Sequence, residues 1–452
     1  MNSNVFREYD IRGVAGRDLD VPGVEMLGRA FGTYYRQHGL RRIVVARDCR
    51  LTSDAYSAAL QAGLQSTGCD LIDVGMVPTP VMYFAVETLD AEGGITVTAS
   101  HNPPEFNGFK SRTRTRAIFG ADIQAIGKLM NGGRFETGAG SRTTRDVLDA
   151  YVKHIVADIK LRRPLSIAID CGNGTAGVVA MRLFETIGAR VTGLYVQPDG
   201  NFPNHVADPT VEKYMVDLAK AVRDEKCEVG IGFDGDADRV GIVDETGRLL
   251  FGDELLVLYS RSILAKKKGA VVFDVKCSQA LVDEVKRLGG TPEMWRTGYP
   301  HIQSRMLETG AQLAGEMSGH MYLADRYFGY DDGLYAGART CEIVSESSLP
   351  LSQRLADMPK YVSTPEIRVD CTDEDKFRVV EDVSKYFRSR YETIDVDGVR
   401  ILFPGGWGLV RASNTQPILV VRFEADTAGT LTKIQDIVRD KLREYPSVHL
   451  DF

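Results

Sequence analysis

Short apolar, β-branched runs alternate with longer segments of helical periodicity in the first hundred residues of the chain. The runs at 43–46, 70–74 and 95–98 predict strands, and the segments at 53–66 and 81–89 predict helices. Strands that alternate with helices are typical of βαβ units around a largely parallel sheet. This part of the chain is therefore predicted to form an α/β domain.

A weak internal repeat carries the same pattern further along the chain. A helix ending in glycine, a short strand and a proline-containing loop recur at 68–80, 188–198 and 289–300. The chain has 452 residues, more than one hydrophobic core usually organises. The repeat and the length together predict three α/β domains of about a hundred residues or slightly more.

The C-terminal part of the chain has a different pattern, in which closely spaced strands are joined by tight turns. It predicts an independent domain with an antiparallel sheet and two flanking helices. The predicted strands are 394–396, 399–403, 407–411 and 418–423, and the predicted helices are 373–388 and 428–443.

Composition indicates a globular protein and argues against two kinds of partner, nucleic acids and membranes. Hydrophobic residues make up 43% and charged residues 26% of the chain, as in ordinary soluble globular proteins. The formal net charge of -7 argues against a nucleic-acid partner, because phosphate backbones are bound by clustered basic residues. No apolar stretch reaches the length of a membrane span, and residues 1–10 lack the apolar segment of a secretory signal. Neither a membrane nor a nucleic acid is expected as a partner.

Cysteine usage indicates the compartment. The seven cysteines are widely scattered, odd in number and without a Cys-x-x-Cys spacing. Neither a disulfide framework nor a zinc site is predicted from this pattern. We therefore expect a protein of the reducing cytoplasm.

The most informative motif follows the strand predicted at 95–98. In the run Thr98-Ala99-Ser100-His101-Asn102-Pro103-Pro104, a hydroxyl nucleophile stands beside an imidazole, and the paired prolines end the strand. Ligands of open α/β sheets bind at the carboxyl ends of strands, where Ser100 is predicted to lie. Taken alone, the motif also fits an ordinary turn.

A second motif groups three carboxylates between two apolar strands. Asp234, Asp236 and Asp238 repel one another unless a cation is present, and their alternate spacing lets all three point into one turn. An EF-hand is excluded, because Arg239 occupies the position that needs glycine and strands flank the loop. The motif predicts a hard divalent cation, Mg²⁺, and the alternative is a solvated acidic hairpin.

Two further polar loops are weaker signals. Glu316 and Ser318 offer a carboxylate and a hydroxyl, a pair that binds vicinal sugar hydroxyls, but a helix-capping turn fits them equally. The loop at 411–417 combines a guanidinium with hydroxyl and amide side chains, which indicates a phosphate cradle. A polar hairpin loop is the alternative for that segment.

With all four loops in family order, the sequence resembles the α-D-phosphohexomutase superfamily, specifically its phosphomannomutase/phosphoglucomutase group. The resemblance runs from Glu8-Tyr9-Asp10-Ile11-Arg12-Gly13 to Pro417. It implies four domains around a central cleft, three related α/β domains with mixed sheets and a C-terminal α+β domain with an antiparallel sheet. The implied ranges are 1–148 with the phosphoserine loop, 149–252 with the metal loop, 253–362 with the sugar loop, and 363–452 with the phosphate loop.

The resemblance also implies the reaction. Phosphate would move reversibly between carbon 6 and carbon 1 of mannose or glucose, through a phosphoserine and a hexose 1,6-bisphosphate that turns end over end. Ser100 resembles the phosphoserine, and its oxygen would join the three aspartates as a ligand of Mg²⁺. Lys110 resembles the proton-handling residue, while His101 and Arg239 would hold the reacting group.

The remaining residues that the resemblance implies bind the substrate. Tyr9 and Arg12 would line the cleft near the serine, and Glu316 and Ser318 would hold the sugar hydroxyls. The non-reacting phosphate would be bound by Arg411, Ser413, Asn414 and Thr415, Lys276 would be a further cation of the cleft, and His301 is a further candidate for substrate binding. For Lys276, a solvated lysine at a strand end is the alternative.

Three features bear on the expected specificity. Met317 favours the phosphomannomutase/phosphoglucomutase group over phosphoglucosamine mutases, which usually carry glutamine there. Tyr299 stands where family members often have a substrate-contacting histidine, and His301 follows it. Arg112, Arg114 and Arg116 replace a usually apolar strand and are expected on one face of a solvated edge strand, with guidance of sugar phosphates as the alternative.

Several functions stay open from the sequence. The alternatives to an active mutase are a phosphoglucosamine mutase, a catalytically silent sugar-phosphate binding protein and a magnesium phosphohydrolase. The intact Ser100, Lys110 and three aspartates argue against a pure binding protein, which needs neither nucleophile nor metal. The expected partner is a phosphosugar, and the chain is expected to be a monomer or a homodimer.

Overall fold

The computed structural model describes residues 2–414 and 416–450. The chain divides into two compact units. The first unit comprises Met1–Tyr259 and Ser318–Ala356, and the second comprises Ser260–Met317 and Asp357–Phe452. Within the described residues, no helix has both the length and the apolar character that crossing a bilayer needs.

The first unit begins with a mixed sheet in the strand order β1-β5-β4-β2-β3-β6. β2 runs parallel to β3 and β4, whereas β5 is antiparallel to both β1 and β4. The strands are β1 (Ile11–Val14), β2 (Arg42–Arg47), β3 (Asp70–Met76), β4 (Gly93–Val97), β5 (Phe106–Thr113) and β6 (Arg142–Thr144). The helices are α1 (Val21–Gln37), α2 (Ser53–Ser66), α3 (Thr79–Thr88), α4 (Ala121–Gly132) and α5 (Leu148–Asp158), and Ser3–Val5 is a 3₁₀ helix.

The second sheet of this unit has the order β11-β10-β9-β7-β8. β7 pairs in parallel with β8 and β9, and β9 and β10 form an antiparallel hairpin. The strands are β7 (Ser166–Asp170), β8 (Arg190–Leu194), β9 (Val229–Phe233), β10 (Val240–Asp244) and β11 (Leu249–Leu250). The helices are α6 (Ala180–Thr186), α7 (Val216–Asp224) and α8 (Gly252–Leu264), with 3₁₀ helices at Thr175–Val178 and Glu212–Tyr214.

The next segment alternates strands and helices again. In the second unit, β12 pairs in parallel with β13 and β14. The elements there are β12 (Ala270–Asp274), α9 (Gln279–Arg287), β13 (Thr291–Trp295), α10 (Tyr299–Thr309) and β14 (Leu313–Gly315). The chain then returns to the first unit with β15 (Met321–Leu323), α11 (Gly333–Ser345) and α12 (Leu351–Arg354).

The C-terminal part of the second unit is an antiparallel sheet in the order β18-β19-β20-β21-β17-β22, with β16 also pairing with β21. Its strands are β16 (Val362–Ser363), β17 (Ile367–Cys371), β18 (Glu392–Ile394), β19 (Val399–Phe403), β20 (Gly406–Ala412), β21 (Ile418–Ala425) and β22 (Val448–His449). Its helices are α13 (Lys376–Arg388) and α14 (Ala428–Leu442). The predicted α+β character of this region is confirmed.

The glycine repeat marks the ends of equivalent helices. Gly68, Gly188 and Gly289 follow α2, α6 and α9 and adopt φ of 85°, 100° and 75°, a left-handed conformation that favours glycine. Each is followed by a strand, β3, β8 or β13. The predicted repeat of helix, glycine and strand is therefore confirmed.

The prediction that Arg112, Arg114 and Arg116 lie on one face of a solvated edge strand is wrong. β5 lies between β1 and β4, and it ends at Thr113 before the second and third arginines. The Arg112 guanidinium is buried 4.8 Å from the ring centre of Tyr83. The other two arginines pair with Asp90 and Asp122. Ring packing therefore commits Arg112 to the fold, whereas Arg114 and Arg116 form partly exposed ion pairs.

The buried carboxylate of Asp332 caps α11 and accepts hydrogen bonds from tyrosine hydroxyls. Asp332 accepts hydrogen bonds from the amide of Tyr335 at 2.9 Å and from the hydroxyls of Tyr151 and Tyr327 at 2.9 Å. Burial raises the pKa of Asp332 to about 6, and the hydrogen bonds oppose that rise only in part. In the folded protein, the side chain therefore holds its proton at a pH where an unfolded chain has lost it.

The raised pKa of Asp332 predicts a pH-dependent stability. Stability from this group is complete below its ordinary pKa of 3.8 and is lost as pH rises through about 6. Over that window the free energy of unfolding should fall by up to about 3 kcal/mol. The measurement is urea unfolding of the parent and Asp332→Asn across the window. A parent and variant with parallel pH profiles would contradict the prediction.

Candidate active site

The loop between β4 and β5 presents Ser100 in an unusual backbone conformation. Ser100 has φ of 50°, and its amide donates to Thr98 Oγ1 at 3.0 Å. A left-handed conformation costs a residue other than glycine on the order of 1–2 kcal/mol. β4 ends at Val97, one residue before the predicted end, so Ser100 lies at the carboxyl end of a buried strand as expected.

The hairpin of β9 and β10 places the three clustered aspartates beside Ser100. Ser100 Oγ donates to Asp234 Oδ2 at 2.5 Å, and both side chains are buried. One carboxylate oxygen from each of Asp234, Asp236 and Asp238 lies within 4.8 Å of the others. The alternative of a solvated acidic hairpin is wrong, because these carboxylates are at most 1% exposed.

The residues present fit a divalent cation. Lys110 Nζ donates to Asp236 Oδ2 at 2.8 Å and contacts Asp238, so one ammonium faces three carboxylates. Asp236 Oδ1 and Asp238 Oδ1 are buried without a hydrogen-bond partner among the described residues. Hard oxygen ligands with an excess of negative charge are the donor set that Mg²⁺ prefers.

Electrostatics within the cluster shift several pKa values. Burial, followed by the charges of Asp238 and Asp236, raises the pKa of Asp234 well above its ordinary value. Burial alone would lower the pKa of Lys110, but the carboxylates outweigh it and the pKa is raised. The carboxylates therefore favour the protonated form of the lysine.

His101 and Arg239 flank the serine. Ser100 Oγ lies 3.1 Å from His101 Nδ1, and burial followed by the charge of Arg239 lowers the pKa of His101 well below its ordinary value. The Arg239 amide donates to Asp234 Oδ1 at 3.1 Å, and its Nε donates to His320 Nε2 at 3.1 Å. A neutral imidazole and a held guanidinium thus stand beside the nucleophile.

The predicted residues Arg12 and Tyr9 lie near the start of the chain, and Arg12 contacts the loop that carries Ser100. Arg12 Nη1 donates to Asn102 Oδ1, and Nη2 donates to Asp10 Oδ2. Arg12 therefore contacts the serine loop directly. Tyr9 precedes β1 and is partly buried.

In the second unit, Glu316 and Lys276 are held by local contacts. Glu316 is 1% exposed and accepts from the amide of Gly298 at 2.6 Å. Lys276 Nζ donates to Glu366 Oε2 at 3.2 Å, and the alternative of a solvated lysine is wrong because the side chain is buried. Ser318 belongs to the first unit and is partly buried. The helix-capping alternative for this loop is also wrong, since the strand β15 follows it.

The predicted phosphate loop connects β20 to β21. Arg411 Nε donates to Asp397 Oδ2 at 2.9 Å, and Ser413 Oγ accepts from the amide of Gln416 at 3.1 Å. Asn414 is partly buried, and Thr415 lies outside the described residues. The loop presents a buried guanidinium whose charge is shared with a neighbouring carboxylate.

α10 begins inside the Thr-Gly-Tyr-Pro-His segment at 297–301, where this chain departs from the family pattern. Tyr299 begins α10 and is buried, and His301 is partly buried two residues on. Burial, followed by the charge of Arg296, lowers the pKa of His301. His301 is therefore a neutral group near neutral pH.

Sequence reasoning missed several polar groups that complete these clusters. Thr79 Oγ1 donates to Asp236 Oδ2 at 2.7 Å from the first turn of α3. Asp331 Oδ2 lies 2.9 Å from His320 Nδ1, and Asp397 and Glu366 pair with the two predicted cations of the second unit. A threonine that opens an apolar helix was a weak available signal, while the carboxylates had none.

Close backbone approach at Gly235 predicts the effect of a small substitution. A Cβ at this position would lie 2.4 Å from the carbonyl oxygen of Ser100. Gly235→Ala should lower the free energy of unfolding by about 1–3 kcal/mol, because two backbones must separate. Urea unfolding measures this loss.

Gly132→Ala is the matched control for Gly235→Ala. Gly132 ends α4 in the same unit, and an added Cβ there meets nothing within 4 Å. Equal stability losses in the two variants would contradict the close approach.

Comparison with known proteins covers the whole chain. Models of the phosphoglucomutase/phosphomannomutase family match its α/β/α domains I, II and III at residues 3–136, 149–247 and 251–361. The model of the C-terminal domain of the same family matches residues 366–441. The four matches follow one another in the order of the family's domains.

Individual relatives agree with the family models. A phosphomannomutase/phosphoglucomutase of Pseudomonas aeruginosa is 42% identical over 98% of this chain and 96% of its own length. A phosphoglucomutase of Neisseria gonorrhoeae is 41% identical over 98% of this chain and 97% of its own length.

A solved structure extends the likeness to the fold. The crystal structure of a phosphoglucomutase/phosphomannomutase family protein from Burkholderia thailandensis has 42% identity and a TM-score of 0.94, and the match covers 100% of both chains. The predicted fold class, with mixed sheets in three α/β domains and an antiparallel C-terminal sheet, is confirmed. The chain belongs to the phosphoglucomutase/phosphomannomutase family of the α-D-phosphohexomutase superfamily.

Proposed function

We propose that the protein is a magnesium-dependent phosphohexomutase that interconverts the 6-phosphates and 1-phosphates of mannose, glucose or both. The hydrogen bond of 2.5 Å between Ser100 Oγ and Asp234 carries this proposal. It brings a hydroxyl nucleophile to a cluster of carboxylates suited to a divalent cation. The proposal rests further on the similarity to mutases across the whole chain.

Ser100 acts as a phosphoserine in this proposal. Its phosphoryl group passes to the free sugar hydroxyl, and dephosphorylated Ser100 then takes the other phosphate from the 1,6-bisphosphate after it has turned around. Mg²⁺, held by the three aspartates and an oxygen of Ser100, would neutralise charge on the transferring group. Lys110 handles the proton of the sugar hydroxyl, and Arg239 and His101 orient the phosphoryl group.

The remaining residues of the proposal bind the substrate. Arg12 and Tyr9 contact it close to the serine, and Glu316 and Ser318 bind sugar hydroxyls. The phosphate that is not reacting, and the sugar adjoining it, are bound by Arg411, Ser413, Asn414, Thr415, Lys276 and His301. The cytoplasmic location and the monomeric or homodimeric state stay predictions from the sequence.

Turnover and mass measurements test the proposal together. Purified protein is assayed with mannose, glucose and glucosamine 1-phosphates in the presence of Mg²⁺ and hexose 1,6-bisphosphate, and its intact mass is recorded with and without the bisphosphate. We expect isomer formation from the neutral sugars and a mass increase of one phosphoryl group. A strong preference for the amino sugar would instead identify a phosphoglucosamine mutase.

Two further outcomes would overturn the proposal in favour of other classes. Release of inorganic phosphate as fast as isomer forms would identify a phosphohydrolase. Calorimetric binding of sugar phosphates by phosphorylated protein without turnover would identify a silent binding protein.

A further inference from the structure

The buried guanidinium of Arg50 donates hydrogen bonds to four backbone carbonyls of the loop that carries Ser100. Arg50 Nη2 donates to the carbonyl oxygens of Ser100 at 2.8 Å and Asn102 at 2.6 Å. Its Nη1 donates to the carbonyl oxygens of Pro103 at 2.6 Å and Phe106 at 2.9 Å. A single side chain thus bonds four carbonyls of a segment that has no regular secondary structure at its centre.

The composition of the loop explains why it needs this donor. Pro103 and Pro104 have no amide hydrogen, so the loop has fewer backbone donors than acceptors. Ser100 is buried, and a buried carbonyl group must nevertheless be paired. Arg50 supplies the missing donors from a neighbouring segment of the chain.

Asp48 and Phe202 hold Arg50 itself in place. Its Nε donates to Asp48 Oδ2 at 3.1 Å, and Asp48 Oδ1 accepts from the Ser53 hydroxyl at 2.5 Å. The guanidinium carbon lies 5.1 Å from the ring centre of Phe202, and the residue is 3% exposed. The donor is therefore held by contacts outside the Ser100 loop as well.

All five N–H groups of the Arg50 guanidinium are used by these contacts. A guanidinium has five donors, and the four carbonyls and Asp48 are five acceptors. None remains for a substrate phosphate. Arg50 is thus a positioning residue and does not bind the reacting group.

We propose that Arg50 positions the nucleophile, holding the Ser100 carbonyl so that the strained residue aims its Oγ at the metal loop. The carbonyl of Ser100 is fixed between Arg50 Nη2 and the backbone of Gly235, where even a Cβ would come within 2.4 Å. A fixed carbonyl fixes the rotation of the Ser100 backbone, and with it the direction of the Cα–Cβ bond that carries Oγ. This inference rests on the proposed function, since it concerns alignment of the phosphoserine.

Arg50→Lys tests the inference, because an ammonium keeps the charge but cannot reach four carbonyls in a planar fork. We expect kcat to fall about 10²-fold, since a misplacement near 1 Å costs about that much. KM for the sugar phosphate should change less than about threefold, because Arg50 does not touch substrate. A merely structural role would instead lower the melting temperature and the amount of active enzyme, leaving kcat per phosphorylated active site unchanged.

Arg47→Lys is the matched control. Arg47 ends β2 three residues earlier, and its Nε pairs with the exposed Asp54 at 2.6 Å. Among the described residues, its side chain forms no hydrogen bond or ion pair with the serine loop. Its kcat and KM should equal those of the parent protein.

The outcomes separate this inference from the proposed function. Turnover and phosphorylation of the parent are measured first, and their absence would refute the proposed function and, with it, this inference. A folded, phosphorylated Arg50→Lys protein with parental kcat would overturn the inference alone. If that variant does not fold, Asp48→Asn decides, because it frees Arg50 Nε while leaving the guanidinium in place. We then expect a fall in kcat of about tenfold at unchanged KM, and an unchanged kcat would overturn the inference.

Discussion

Ser100→Ala is expected to abolish mutase turnover while leaving the protein folded and able to bind sugar phosphate. Removal of a serine nucleophile has cost near 10⁶-fold in other enzymes, so we expect a loss of roughly 10⁴-fold or more here. Folding should persist because the loop is held through backbone carbonyls, which the alanine retains. The measurements are isomer formation and calorimetric binding of glucose 1-phosphate.

Ser66→Ala is the control for the loss of a serine hydroxyl. Ser66 ends α2, and among the described residues its hydroxyl donates only to the local carbonyl of Gly63. This variant should keep parental turnover. Substantial turnover in Ser100→Ala, with no other phosphorylated residue found by mass spectrometry, would show that Ser100 is not the nucleophile.

Asp236→Asn is expected to give the second largest loss. It removes one of three clustered carboxylates, and its lost charge weakens both Mg²⁺ binding and the contact with Lys110. Metal assistance contributes several kcal/mol to the transition state, so turnover should fall about 10²-fold to 10³-fold. The concentration of Mg²⁺ required for half-maximal turnover should rise, and calorimetry with Mg²⁺ alone should show weaker binding.

The matched control for this charge change is Asp224→Asn. Asp224 ends α7, and its exposed side chain pairs with Lys220 one helical turn away. Its variant should bind Mg²⁺ and turn over like the parent. Parental Mg²⁺ affinity and turnover in Asp236→Asn would remove this carboxylate from the proposed metal site.

Local sequence patterns predicted the parts of the fold that local chemistry determines. The helix 53–66 matches α2 at both ends, because its apolar spacing is regular and a glycine follows it. The apolar flanks of Asp234 and Asp238 predicted the hairpin of β9 and β10 for the same reason. The domain boundaries stay predictions.

Contacts between distant segments were not accessible to the same reasoning. Thr79 and Arg50 reach the site from helices and turns that no spacing rule connects to Ser100. The arginine at 112 was misjudged because strand order, which decides whether β5 is an edge, depends on pairing across the sheet. Such pairings need the assembled fold.

The carboxylate partners of the two cations proposed to bind substrate have a kinetic consequence. Arg411 is paired with Asp397, and Lys276 with Glu366, before any anion arrives. An incoming phosphate must therefore compete for cations whose charge is already partly neutralised. This competition lowers the affinity for the phosphate. In the proposed reaction, weaker phosphate binding favours the bisphosphate intermediate, because it must be released, turn around and bind again in the opposite orientation before it leaves the enzyme.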